Sequence, residues 1–180
     1  MKIYCLGDSM TAAYRIAPEN CWVSLLNQQT SHHWINGGIS GDTAAGMLVR
    51  LHSAVLPEKP DAVIWLGGTN DILLTGSSGM AKSCVMAFVN HCAAAGVRPV
   101  IGIPYLLRSV AAPWDRLCSW QQCRPVLEEY ILWLSRFADA AMLRRVDFKD
   151  AGAFLQPDGM HPDIDGHRCM AEAALHVFRR

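Results

Sequence analysis

The stretch that decides the fold is MKIYCLGDSM, residues 1–10. Its apolar run at residues 3–6 has the length of a buried strand, and Gly7, Asp8 and Ser9 follow the run directly. Open parallel sheets bind ligands beyond the carboxyl ends of their strands. We therefore expect Ser9 at that edge, on the turn into the next helix. Asp8 and Ser9 are also common helix caps, so a purely structural role stays open at this point.

Four more short apolar runs follow, and longer stretches with helical spacing separate them. This alternation is typical of βα units around a parallel sheet. Because the chain shows no repeat, low-complexity tract or linker, we expect residues 1–180 to form one α/β domain. The runs cover residues 34–35, 62–66, 100–103 and 143–148.

Helix faces are visible as apolar residues that recur every three or four positions. A last helix near the C-terminus is expected to hold Pro162 in its first turn, where proline is tolerated. The expected buried faces are Ala44, Met47, Leu48, Leu51 and Val55; Ala81, Cys84, Val85, Phe88 and Cys92; and Ala171, Ala174, Leu175 and Phe178.

The composition narrows the class of partner. Sixteen basic and sixteen acidic residues leave no net charge and form no long run of one sign, which argues against nucleic acid and anionic membranes. No stretch reaches the ~18 apolar residues of a membrane span, and the N-terminus lacks a signal-peptide apolar region. Seven cysteines without a CxxC pair favour a reducing cytoplasm and argue against zinc. We expect a soluble cytoplasmic protein that acts on a small molecule; its oligomeric state stays open.

Two further blocks lie where the second and third strands end. In NGGISGDT, residues 36–43, Gly41 could bring a backbone N–H close to a ligand, whereas Asp42 is explained as a helix cap. In GGTND, residues 67–71, Asn70 offers a side-chain amide at the same edge. Taken singly, such an asparagine is more often a turn residue than a catalytic one.

A fourth block, DGMHP at residues 158–162, follows the last strand. A carboxylate three residues before a histidine on a turn can accept a hydrogen bond from Nδ1–H, which leaves Nε2 free as a proton acceptor. Asp158 and His161 have this spacing. A metal site at His161 and His167 lacks HExxH and a third ligand at a recognisable spacing.

Together, GDSM, ISGDT, GGTND and DGMHP resemble the four ordered blocks of the GDSL/SGNH hydrolase family, with Met10 in place of the eponymous leucine. Within that family, the segments YRIAPENCWVSLL, residues 14–26, and NGGISGDTAAGMLVRL, residues 36–51, look most similar to the small bacterial thioesterase/lysophospholipase/arylesterase branch. The resemblance implies a flavodoxin-like three-layer α/β/α sandwich with five parallel strands in the order 2-1-3-4-5. It also implies that Ser9 is the nucleophile and that His161 with Asp158 is the base. The Ser9 amide, Gly41 and Asn70 would be the oxyanion-hole donors.

The implied activity is a serine esterase that hydrolyses short to medium acyl esters or thioesters and needs no metal or organic cofactor. A carbohydrate O-deacetylase or acyltransferase could use the same residues. A flavodoxin-like module that only binds a nucleotide or flavin would not explain Ser9, Asn70, Asp158 and His161 together.

The walls of the acyl pocket are expected in two long connections, residues 72–79 and 104–124. The second is rich in aromatic residues, which fits either a pocket wall or a patch of satellite core. With no inserted lid, the site should be shallow and open to solvent. The candidate wall residues are Leu73, Leu74, Leu106 and Trp114.

Overall fold

A computed structural model describes residues 1–110 and 119–179 of the chain. Five parallel strands form one sheet in the order β2-β1-β3-β4-β5, as the family resemblance implied. The strands are β1 Lys2–Gly7, β2 His33–Gly38, β3 Ala62–Leu66, β4 Arg98–Ile103 and β5 Arg144–Asp147. The helices are α1 Ser9–Ala12, α2 Trp22–Gln29, α3 Ala44–Arg50, α4 Thr69–Thr75, α5 Gly79–Ala94, α6 Trp120–Ala140 and α7 Ile164–Phe178.

Helices cover both faces of the sheet, which makes the expected three-layer sandwich. On one face α2 packs with α7, and on the other α3 packs with α5 while α4 packs with α6. The helices are divided between the two faces because crossovers between parallel strands are right-handed. The chain moves in one direction from β1 to β2 and in the other direction from β2 through β3 and β4 to β5, so the connecting helices fall on opposite faces. The central strand β3 is buried along its whole length, as expected of a strand covered on both sides.

Large aromatic side chains fill the core between the layers. Trp22 of α2 meets the Phe148 ring edge-on, with 5.4 Å between the ring centroids. Trp65 of β3 lies 5.0 Å from the Phe88 ring of α5. All four side chains are at most 1% exposed, so the sheet is anchored to both helical layers by ring contacts.

The predicted strands agree with the structure to within a few residues at their ends. The predicted helix faces also hold, since Met47, Leu51 and Val55 are fully buried. The helical segment after β2 is not a single α-helix, however, because α3 continues as a short π-helix at Leu51–Val55.

Two local expectations were wrong. Pro162 precedes α7 instead of lying in its first turn, and Asp163 is the N-cap, accepting a hydrogen bond from the Gly166 N–H at 2.9 Å. Residues 72–79 are not an open connection, because residues 72–75 belong to α4. That helix turns Leu73 inward, where it is 6% exposed.

Candidate active site

The sheet brings three of the four sequence blocks to one edge through strand register. Gly7 pairs with Gly38 of β2 and with Leu66 of β3, so the three strands end level. Ser9 follows two residues after Gly7, Gly41 three after Gly38, and Asn70 four after Leu66. The blocks separated in sequence therefore meet beyond the carboxyl ends of β1, β2 and β3.

Ser9 begins α1, a single turn of helix directly after β1. Asp8 caps this turn, and its Oδ1 accepts a hydrogen bond from the Met10 N–H at 3.0 Å. The capping role weighed for Asp8 from sequence is thus present. It leaves the Ser9 hydroxyl free for another partner.

That partner is His161. The Nε2 atom of His161 lies 2.9 Å from Ser9 Oγ, although the two residues are 152 positions apart in sequence. On the other side of the ring, Nδ1 lies 2.7 Å from Asp158 Oδ2. A carboxylate, an imidazole and a hydroxyl therefore form one continuous hydrogen-bonded relay.

The other oxygen of Asp158 fixes the turn that carries the histidine. Its Oδ1 accepts hydrogen bonds from the Met160 N–H at 2.9 Å and from the His161 N–H at 3.0 Å. Burial alone would raise the pKa of Asp158, but these bonds and the His161 ring lower it below its ordinary value. The carboxylate is thus held in its ionised form beside the imidazole.

The loop after β2 exposes backbone to the cleft at Gly41. Gly41 has a φ of 80°, and a side chain there would meet no atom within 4 Å. This left-handed backbone favours glycine, and it leaves the surface beside Ser9 unobstructed. Gly38 is the last residue of β2. It packs so closely on the backbone of Thr11 and Ala12 that a Cβ at this position would collide with that backbone.

Asn70 lies in the first turn of α4 and donates a hydrogen bond from Nδ2 to the Asp42 carbonyl oxygen at 2.8 Å. A side-chain amide has two N–H groups, so this bond occupies one and leaves the other. The loop after β3 is thereby tied to the loop after β2. Asp71 makes a second tie, because its Oδ2 accepts from the Ala44 N–H at 2.8 Å.

Asp42 does not cap α3, contrary to the expectation from sequence. Thr43 is the N-cap, and its hydroxyl accepts from the Gly46 N–H. The Asp42 carboxylate instead pairs with Arg50, whose Nε and Nη2 lie 2.8 and 2.7 Å from Asp42 Oδ2. Arg50 also donates to the carbonyl oxygens of Gly7 and Gly37, at the ends of β1 and β2.

These residues border a small cleft with a volume of about 120 Å³. Four of its lining residues, Ser9, Gly41, Asn70 and His161, were singled out from sequence. Ser40 and Met160 lie in the same blocks but were not singled out, and Tyr14 lies outside the blocks. Among residues 1–110 and 119–179, the cleft is lined by Ser9, Tyr14, Ser40, Gly41, Asn70, Met160 and His161.

Three of the four predicted wall residues, Leu73, Leu74 and Leu106, are not among the described residues that line this cleft. Leu73 is buried in α4, Leu74 is 44% exposed and Leu106 packs against the core. Trp114 lies outside the described residues. A role for these four in binding an acyl chain stays a prediction.

Within residues 1–110 and 119–179, no group of three or more His, Cys, Asp or Glu side chains is arranged to hold a metal ion. Over the same residues, no helix has both the length and the apolar character needed to cross a membrane.

The profile of the GDSL-like lipase/acylhydrolase family matches residues 5–169. Among relatives, an arylesterase of Vibrio mimicus is 40% identical over 75 residues, which cover 39% of this chain and 38% of that protein. Thioesterase 1/protease 1/lysophospholipase L1 of Escherichia coli K12 is 25% identical over 169 residues, or 93% of this chain and 78% of that protein.

Solved structures share the fold. A member of the lipolytic protein G-D-S-L family from Veillonella parvula superposes with a TM-score of 0.80 at 24% identity, covering 99% of this chain and 98% of that one. The psychrotrophic esterase EstA from Pseudoalteromonas superposes with a TM-score of 0.76 at 21% identity, covering 98% and 96%.

Proposed function

We propose that this chain, which belongs to the GDSL-like lipase/acylhydrolase family and hydrolyses ester bonds, is a serine esterase for short to medium acyl esters or thioesters. Ser9 is the nucleophile, and the reaction passes through an acyl-enzyme on its Oγ. The observation that carries the proposal is the relay from Asp158 through His161 to Ser9, with distances of 2.7 and 2.9 Å.

In the first step, His161 Nε2 removes the Ser9 proton as Oγ attacks the carbonyl carbon. A bond forms between Oγ and that carbon, and the carbonyl oxygen takes the negative charge. The intermediate then expels the alcohol or thiol, which leaves with the proton from His161. Water then attacks the acyl carbon as the same imidazole removes one of its protons. The bond between this carbon and Ser9 Oγ breaks, the acid is released, and His161 returns the proton to Ser9 Oγ. The ionised Asp158 stabilises the imidazolium that forms in each half-reaction.

The oxyanion is bound by the N–H groups of Ser9 and Gly41 and by the side chain of Asn70. Donors aimed at the developing charge stabilise the transition state more than the ground state. The Asn70 amide is well suited to this role, because its bond to Asp42 fixes the side chain while one N–H remains available.

The size of the cleft supports a short acyl group. Its volume of about 120 Å³ is below the ~300–1,000 Å³ typical of pockets that enclose drug-sized ligands. Tyr14 and Met160 contribute the large side chains of its wall. A long acyl chain would have to extend over the protein surface.

A fluorophosphonate tests the nucleophile, with Ser9→Ala and Ser40→Ala compared. Both serines line the cleft, but the His161 ring contacts the Ser9 hydroxyl. We expect one covalent adduct, mapped to Ser9, that persists in Ser40→Ala and disappears in Ser9→Ala. Stoichiometric labelling of Ser9→Ala would contradict the assignment.

A substrate panel tests the acyl donor. We expect p-nitrophenyl esters and acyl thioesters with short chains to be hydrolysed faster than long-chain ones. Preferential release of acetate from acetylated sugars would favour the carbohydrate deacetylase, and preference for long-chain triglyceride at an interface would contradict the proposed chain length.

A further inference from the structure

Tyr14 packs its ring against the imidazole of His161. The ring centroids are 4.5 Å apart and the ring planes are inclined by 37°. The two edges of the imidazole are already occupied by Asp158 and Ser9. The phenol ring therefore supplies a third contact, from a direction that neither hydrogen bond restrains.

An unusual backbone conformation delivers this ring. Ala13 and Arg15, on either side of Tyr14, have φ values of 59° and 58°. Left-handed backbone is unfavourable for residues with a Cβ, and it persists where the surroundings impose it. Here Ser9 contributes to the restraint, since its carbonyl oxygen accepts hydrogen bonds from the Ala13 and Tyr14 N–H groups.

Gln156 joins this segment to the turn that carries His161. Its side-chain Nε2 donates to the Tyr14 carbonyl oxygen and to the Pro162 carbonyl oxygen, each at 2.9 Å. Its backbone N–H donates to the His161 carbonyl oxygen at 2.8 Å. One half-buried residue thus holds Tyr14, His161 and Pro162 in fixed relation.

We propose that Tyr14 and Gln156 are positioning residues that hold the His161 imidazole in line between Asp158 and Ser9. Tyr14 restrains the face of the ring, and Gln156 restrains both backbones that place the two rings together. The proposal rests on the proposed function, because it concerns the same proton transfer.

The contact matters most in the acyl-enzyme. Once Ser9 Oγ carries the acyl group, it no longer has a proton to share with Nε2, and the imidazole is left with the Asp158 bond alone. The Tyr14 ring then keeps Nε2 directed at the space where water must attack. Loss of this restraint lowers turnover more than substrate binding, since small misplacements of a catalytic group cost rate steeply.

The test compares Tyr14→Ala, Tyr14→Phe, Gln156→Ala and the double alanine variant on p-nitrophenyl acetate. We expect Tyr14→Ala and Gln156→Ala each to lower kcat by about 10–100-fold with little change in KM. Tyr14→Phe should retain most of the activity because it keeps the ring. The double variant should lose less than the product of the single losses, because both residues act through His161.

A spectroscopic measurement separates positioning from general stability. The His161 Nδ1 proton shared with Asp158 should give a downfield ¹H NMR signal that broadens in Tyr14→Ala while the melting temperature changes little. Gln28→Ala, on the exposed surface of α2, is the matched control and should behave as wild type. If Gln156→Ala does not fold, Gln156→Met keeps the length of the side chain and removes both N–H donors without adding a charge.

The outcomes are distinct. A rise in KM with unchanged kcat in Tyr14→Ala would leave Tyr14 only its place in the cleft wall and overturn the positioning role. Wild-type kcat in the Tyr14 and Gln156 variants, with Ser9→Ala inactive, would overturn the positioning role and leave the proposed function intact. Activity that survives in Ser9→Ala would instead refute the proposed function itself.

Discussion

The side-chain amide of Asn70 donates a hydrogen bond to the carbonyl oxygen of Asp42 at 2.8 Å, and so joins the loops that follow β2 and β3. From sequence, an oxyanion donor and a turn asparagine were alternative roles for this residue. The geometry is compatible with both at once, because one N–H ties the loops and the second remains.

Asn70→Ala is therefore expected to have two separable effects. Loss of an oxyanion donor should lower kcat by roughly 10²–10³, and loss of the tie to Asp42 should lower the free energy of unfolding by about 1 kcal/mol. Steady-state kinetics and urea unfolding on one preparation measure both. Wild-type kcat together with a lower unfolding free energy would leave Asn70 only its structural role.

Arg50 connects the ends of β1 and β2 to the loop that carries Gly41. Arg50 uses three separate nitrogens to reach Gly7, Gly37 and Asp42, whereas lysine keeps the charge on a single nitrogen, so Arg50→Lys should lower the free energy of unfolding by about 1–3 kcal/mol. We also expect kcat to fall, because the loop beside Ser9 loses its anchor. The exposed Arg136 provides the matched control, Arg136→Lys. Equal effects in the two variants would rule out a specific role for Arg50.

Most of the architecture was predictable because the signals are local. The clearest signal is the apolar run of β3, which is buried over the same residues that the run predicted, Ala62–Leu66. Three of the site blocks directly follow β1, β2 and β3, so parallel topology brings Ser9, Gly41 and Asn70 to one edge. His161 reaches the same edge only through the longer segment, residues 148–160, that follows β5.

What sequence reasoning missed depends on contacts between distant segments. Nothing near Gln156 indicates that its side chain reaches Tyr14, 142 residues earlier. Asp42 was misjudged because capping is a local expectation, whereas its carboxylate lies outside α3 and pairs with Arg50, the last residue of that helix.

His167 gives a prediction about acid stability. It is fully buried, its Nδ1 accepts from the Trp22 N–H at 3.4 Å, and Nε2 has no hydrogen-bond partner among the described residues. Burial lowers the pKa of His167 from 6.5 to about 4; the nearby charge of Asp163 opposes the shift, and His161 adds to it.

Between pH 6.5 and about 4, His167 is therefore protonated in the unfolded chain but not in the folded protein. The associated stability is present above this window and is lost as the pH falls through it, by about 3 kcal/mol in total. His167→Asn keeps an acceptor near the Trp22 N–H but cannot titrate, so its unfolding free energy should rise relative to that of wild type as the pH falls from 6.5 to 4. Parallel pH profiles for the two proteins would contradict this account.

Asp8 should have the opposite effect on the pH dependence of stability, because it destabilises the folded protein as the pH rises. It is 1% exposed, and burial is the main reason that its pKa rises from 3.8 to about 7. The Met10 N–H opposes this shift, and the carboxylates of Asp42 and Asp71 add to it. The folded protein thus holds a proton on Asp8 that the unfolded chain releases at lower pH. This contribution to stability is full below pH 3.8 and is lost as the pH rises through about 7.

Asp8→Asn removes the buried charge and keeps an oxygen to accept from the Met10 N–H, so it should be more stable than wild type at pH 8, by about 2–4 kcal/mol, and comparable to it at pH 4. Asp8→Ala serves as the control, because it also loses the cap and should gain about 1 kcal/mol less.

The pH ranges over which His167 and Asp8 change stability overlap. The unfolding free energy of wild type should therefore change little between pH 4 and 6.5, and Asp8→Asn should uncover the steeper loss of stability in acid that His167 causes. Urea unfolding at half-unit pH steps measures all three proteins. An Asp8→Asn variant no more stable than wild type at pH 8 would show that the folded protein carries the Asp8 carboxylate without penalty.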